Sequence, residues 1–175
     1  TADTDGRIFV TDSQVDKVTV LSASAKILAY LQPDEPFKQP SGIIADSINR
    51  RLYVTDTHTH NIKVFDLDTL KNTGTIGKRG KEEGEFNFPS HLGIDTKGNL
   101  YVVDTMNGRI QIFDKTGKFI RAFGQFGDAP GIRASALTAK ATYMSSTRPL
   151  TTSRYSTTRG RCSWRSRPTA ATGRR

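Results

Sequence analysis

Arg7–Ser22 reads RIFVTDSQVDKVTVLS. The pattern returns at Arg51–Asp66 as RLYVTDTHTHNIKVFD and at Leu100–Asp114 as LYVVDTMNGRIQIFD. Asp12, Asp56 and Asp104 thus occupy one position in three copies of a single unit, 44 and then 48 residues apart. A period of this size is too long for a leucine-rich or ankyrin repeat, and it suits a unit of four short strands with their turns.

The second copy contains GIIAD, RLYVTD, NIKVFD and TGTIG, and the third contains LGID, NLYVVD, RIQIFD and FIRAFG. All are short and rich in β-branched and aromatic residues, as strands are. Thr96-Lys97-Gly98-Asn99 and Lys115-Thr116-Gly117-Lys118 put glycine where a tight hairpin needs positive φ, so each sheet is an antiparallel meander. The spacing predicts strands near residues 7–11, 17–22, 42–46, 51–56, 61–66, 72–77, 91–95, 99–104, 109–114 and 118–124. Apolar residues fall on both sides of segments such as Asn61–Asp66 and Arg109–Asp114, because a blade packs against a neighbour on each face. The fold class expected is all-β, a partial β-propeller of four-stranded antiparallel blades. About three blades are visible, with units at 1–39, 40–88 and 89–131. An open arc leaves an apolar face and sheet edges bare, which predicts self-association.

The 175 residues carry a formal net charge of +9, which ordinarily suggests an anionic partner. That charge lies almost wholly in the last segment: residues 131–175 hold ten Lys and Arg and no acid, leaving 16 basic against 17 acidic residues in 1–130. Nucleic-acid binding needs clustered cations to release counterions. The body offers only Lys78, Arg79 and Lys81, followed at once by Glu82, Glu83 and Glu85. No nucleic-acid partner is expected. No run approaches the roughly 18 apolar residues of a membrane span. The single cysteine, Cys162, says nothing of redox compartment. The opening TADTDGRIFV is not expected to be a signal segment, and location stays unassigned, an exported or periplasmic parent being compatible with the chain.

After Gly131 the composition turns to Thr, Ser, Arg and Ala, and residues 132–175 are expected to be a disordered basic tail. Joining the third base of each codon to the first two of the next, from Lys140 to Cys162, permits GHIYVVDAAFNNFQIFDDEGKV. This aligns without a gap to GNLYVVDTMNGRIQIFDKTGKF at Gly98–Phe119. The tail therefore reads as an out-of-frame translation of a fourth blade. Its arginines, Cys162 and Trp164 then carry no selected chemistry.

The strings PSGIIAD, LYVTD, NIKVFD and LYVVDTMNGRIQIFD, with the loop Gly77-Lys78-Arg79-Gly80-Lys81-Glu82-Glu83-Gly84-Glu85-Phe86, resemble NHL repeats. The resemblance covers residues 1 to about 131. It implies a propeller whose parent is usually six-bladed and which serves as a non-catalytic binding scaffold for protein, peptide or glycan partners. The alternative it implies is a fragment of an NHL-like propeller lyase with a metal and histidines at the central axis. The asparagine that often precedes the third strand is present only as Asn107, with Thr59 and Val15 at the matching places.

In a propeller, the loops between second and third strands share a face with the blade-to-blade loops, and binding sites favour that face. The residues expected there are Asp12, Asp56, His58, His60, Lys78, Arg79, Asp104 and Asn107. The competing structural role for the repeated aspartates is a turn, each carboxylate accepting N–H bonds from the next residues. His58 and His60 would point the same way on an extended chain and could begin a metal site with Asp104 or His91. Zinc takes three or four ligands, and the other copies hold no histidine here. Both imidazoles are therefore read as surface loop residues, with no cofactor expected and no catalytic residue named.

Overall fold

The computed structural model of the protein describes residues 1–124. The expectations for residues 132–175, the basic tail and its shifted reading frame, lie outside the described residues. Three antiparallel sheets follow one another in sequence. The first holds β1 (Ile8–Asp12), β2 (Lys17–Leu21) and β3 (Ile27–Tyr30). The second holds β4 (Pro40–Asp46), β5 (Arg51–Asp56), β6 (Asn61–Asp66) and β7 (Asn72–Ile76). The third holds β8 (Pro89–Ile94), β9 (Leu100–Asp104), β10 (Arg109–Phe113) and β11 (Phe119–Phe123), with one 3-10 turn at Thr105–Asn107.

The repeat predicts the pairing well. β1–β2, β5–β6 and β9–β10 share a register in which the repeated aspartate faces the first residue of the next strand: Asp12 opposite Lys17, Asp56 opposite Asn61, Asp104 opposite Arg109. Four residues close each of these loops, and the last of them is left-handed each time, at Asp16 (φ 54°), His60 (φ 57°) and Gly108 (φ 63°). β1 corresponds to β5 and β9, so the first sheet has three strands among the described residues. Its β3 was absent from the sequence reading, because Ile27–Tyr30 follows no recognisable turn glycine and three of its four residues are exposed.

Alternation along the middle sheet shows how both faces are buried. Leu52, Val54 and Phe65 turn toward the first blade and pack with Phe9, Val18, Val20, Leu31 and Phe37. Tyr53, Ile62 and Val64 turn toward the third and pack with Leu100, Val102 and Phe113. Each side chain of this size removes from water apolar surface worth about 1.5–3 kcal/mol. Phe86 enters the second cluster from the loop before β8, its ring 5.5 Å from that of Phe113. Gly77 makes room for it, since a Cβ there would lie 2.3 Å from the Phe86 ring. The inner strands β4 and β8 approach closely enough that a Cβ on Gly42 would lie 2.5 Å from the Ser90 carbonyl oxygen.

Candidate loop-face site

The hairpins joining β5 to β6 and β9 to β10 lie at the same end of the sheets as the blade-to-blade connections. The β4–β5, β6–β7, β8–β9 and β10–β11 turns lie at the other end. Turn capping by carboxylate is concentrated there: Asp46 accepts from the Ile48 and Asn49 N–H groups, and Asp95 from those of Lys97 and Asn99. Asp66 and Asp114 do the same, and the Thr69 backbone N–H and the Thr116 hydroxyl respectively are the main causes holding them below the usual carboxylate range.

On the loop face the three repeated aspartates behave differently. Asp12 is exposed and caps its own turn, accepting from Gln14 N at 2.9 Å and Val15 N at 3.4 Å. Asp56 and Asp104 are fully buried and reach back to the loop that enters their own blade, where they accept from Lys38 N at 2.8 Å and Asn87 N at 2.7 Å. The turn role expected for all three thus holds only for Asp12. In the other two, the backbone N–H of an incoming loop is the nearer donor, and burial makes it obligatory that this donor be paired.

Asp104 is the hub of a network. Its Oδ2 accepts from Asn107 Nδ2 at 2.8 Å, Arg109 Nε at 2.9 Å and Gln111 Nε2 at 3.1 Å. The same three side chains hold the long loop before β8: Asn107 donates to Gly80 O, Arg109 to Glu82 O and Glu85 O, and Gln111 to Glu85 O. Arg109 and Gln111 were missed by the sequence reading. The signal that could have found them is Gln111 itself, a polar residue between Ile110 and Ile112 in a strand buried on both faces. Around Asp56 the corresponding side chains are Thr59, Asn61 and Lys63. Asp56 Oδ2 has no hydrogen-bond partner, and Lys63 Nζ, itself buried, stands 3.9 Å away beside the Phe37 ring. Burial pushes the Asp56 carboxyl above its ordinary range, against the pull of the Lys38 N–H, the Thr59 hydroxyl and the Lys63 charge.

The histidines separate. His60 is left-handed, so the pair does not lie on an extended chain, and it is buried, unlike the surface residue expected. Its Nδ1 accepts the Phe88 N–H at 3.1 Å. His58 is exposed, and both rings meet the Phe88 ring edge-on, at 5.9 Å for His58 and 4.6 Å for His60. Lys78 is exposed and pairs with Glu85 at 3.3 Å, and Arg79 is exposed, its charge lowering the His60 pKa. Among the described residues, no group of three or more His, Cys, Asp or Glu is placed to hold a metal ion.

Toward the inner strands a chain of hydroxyls links the blades. Thr11 donates to Ser41 O, Ser41 Oγ meets Thr55 Oγ1 and Thr57 Oγ1, and Ser90 Oγ meets Thr105 Oγ1 at 2.7 Å. His91, exposed on β8, shares a hydrogen bond with its neighbour Ser90, and the equivalent position on β4 is Gly42. No helix among the described residues is long and apolar enough to cross a membrane.

Comparison with known proteins agrees with this architecture. A family model described as "SMP-30/Gluconolactonase/LRE-like region" matches residues 1–126. NHL repeat-containing protein 2 of Gallus gallus is 34% identical over 142 residues, covering 65% of this chain and 19% of that protein. Protein brain tumor of Drosophila melanogaster is 44% identical over 52 residues, covering 30% of this chain and 5% of that protein. The chain therefore spans no more than about a fifth of these relatives. Among solved structures, streptogramin B lyase superposes with a TM-score of 0.61 at 17% identity, over 75% of this chain and 41% of that one. Virginiamycin B lyase from Staphylococcus aureus gives 0.61 at 19% identity, over 75% and 42%. At such identities the likeness is one of fold. With the repeats, the three antiparallel blades and these relatives together, the chain belongs to the SMP-30/gluconolactonase/LRE-like family and is an NHL-repeat β-propeller segment.

Proposed function

We propose that the chain is part of a non-catalytic binding scaffold that presents its loop face to a protein, peptide or glycan. One observation carries this reading. The residue two places after each repeated aspartate is exposed in every blade, and it is Gln14, His58 and Met106 in turn. A single backbone slot thus offers an amide, an imidazole and a thioether in successive blades, with Arg79 exposed on the long loop between the second and third. The residues beneath, Asp56, His60, Asp104, Asn107, Arg109 and Gln111, are engaged in holding the loops. A rigid frame carrying varied exposed side chains suits recognition, in which a few central anchors dominate affinity.

The test is selection of binders from a displayed random-peptide library and, in parallel, a glycan array, both with the full 175-residue chain. Binders should lose at least about tenfold in affinity on His58→Ala combined with Arg79→Ala, an amount expected for hot-spot anchors. Ligands that bind equally well to that variant would place recognition elsewhere and end the proposal.

A further inference from the structure

The four-residue loop after each repeated aspartate ends in a left-handed residue, and in two blades its side chain performs the same act. Asp16 Oδ1 accepts the Gln39 N–H at 2.7 Å, and His60 Nδ1 accepts the Phe88 N–H at 3.1 Å. Gln39 and Phe88 are themselves left-handed, at φ 71° and 55°, and each precedes the proline that opens the next blade's inner strand. Each pair therefore latches a second-to-third-strand loop onto the entry of the following blade. The third copy has Gly108 and no side chain to offer.

The two acceptors differ in kind. A carboxylate accepts at any pH above about 4, whereas Nδ1 of imidazole accepts only when neutral and becomes a donor on protonation, near pH 6.5 for an ordinary histidine. We propose that His60 makes the latch between the second and third blades acid-releasable: in mild acid its Nδ1 turns from acceptor to donor, Phe88 is freed, and the loop face opens there while the Asp16–Gln39 latch stays closed. The charged and titratable groups that act on His60 are Arg79 from the long loop, His58 from its own loop and Asp104 from β9. Burial, then the charges of Arg79 and His58, lower the His60 pKa, and Asp104 opposes them. The neutral ring is therefore favoured in the folded chain. Stability from this group is full above the ordinary histidine pKa and is lost as pH falls through the lower folded value.

The experiment is amide hydrogen exchange on the full chain, each rate corrected for intrinsic exchange, from about pH 7.5 down to about one pH unit below the His60 pKa read from its ring-proton shifts in the same chain. Protection of the Phe88 amide should fall about tenfold for each pH unit below the His60 pKa, while that of Gln39 holds. His60→Asn, whose side-chain oxygen accepts without titrating and which tolerates positive φ, should keep Phe88 protected throughout. His60→Ala should leave it unprotected at both ends. Phe88 protection that is independent of pH, that falls in step with Gln39, that survives His60→Ala, or that still falls in His60→Asn would overturn the latch. Should a variant fail to fold, the Phe88-to-Gln39 comparison in the unaltered chain decides alone.

Discussion

Asp56 and Asp104 sit in the same register, at the same strand end and equally buried, yet their surroundings differ. Asp104 has four donors on its two oxygens, whereas Asp56 has one donor on Oδ1 and none on Oδ2. The difference arises three, five and seven residues downstream, where Asn107, Arg109 and Gln111 replace Thr59, Asn61 and Lys63. Backbone geometry supplies the position, and the alternating side chains of the next strand decide whether a buried carboxylate there is a hub or a liability. A carboxylate out of water is tolerated in proportion to the hydrogen bonds it accepts.

The largest effect should come from Asp104→Ala. It strands four donors, the Asn87 N–H and three side chains, and loosens the loop that those side chains hold, and about 3–5 kcal/mol of stability should be lost, as when one partner of a buried pair is removed. Urea unfolding of the full chain measures this, and a loss no greater than at Asp56 would show that the network adds nothing. Asp56→Ala should cost less, about 2 kcal/mol, from the unpaired Lys38 N–H and from buried Lys63, which loses a counter-charge that it meets only at 3.9 Å. A third variant converts one centre into the other. Thr59→Asn with Asn61→Arg and Lys63→Gln should stabilise the chain by about 1–2 kcal/mol by giving Oδ2 its missing donors. The same variant tests the charge state. Because burial raises the Asp56 pKa, its contribution is present below the ordinary carboxylate pKa and lost as pH rises through the higher folded value. Donors to Oδ2 stabilise the charged form, so carboxyl carbon shifts should report a lower Asp56 pKa in the variant. An unchanged titration would mean that Oδ2 is satisfied already.

The fold was legible because it repeats. Three copies of one string place the strands, the hairpins and the two-faced burial of β6. The site was legible only in part. Asp12, Asp56 and Asp104 look identical in sequence, and their division into turn cap, half-paired carboxylate and hub depends on burial and on donors 17 or 18 residues upstream, which no local pattern states. His60 reads as a surface residue in sequence because its role comes from φ and from the Phe88 N–H 28 residues away. Asp16 shows the same act with a different side chain, and only an alignment of the two loops brings it out.

The smallest effect belongs to the third member of the set, and it is the one that tests whether sequence position or environment governs. Asp12 occupies the repeat position of Asp104, so a purely positional account gives the two the same weight. Asp12 is exposed, it bonds only to the turn that follows it, and the Val15 contact is long at 3.4 Å. Water can replace both bonds when the side chain is removed. Asp12→Ala should therefore change stability by no more than about 0.5 kcal/mol, the ordinary range for a surface substitution. Asp12→Asn, which keeps the accepting oxygen, should be indistinguishable from the unaltered chain. The urea midpoints of Asp12→Ala, Asp56→Ala and Asp104→Ala, taken at one pH in one buffer, should rank in that order of increasing loss. A loss at Asp12 equal to that at Asp56 would mean that the first blade uses its aspartate as the others do.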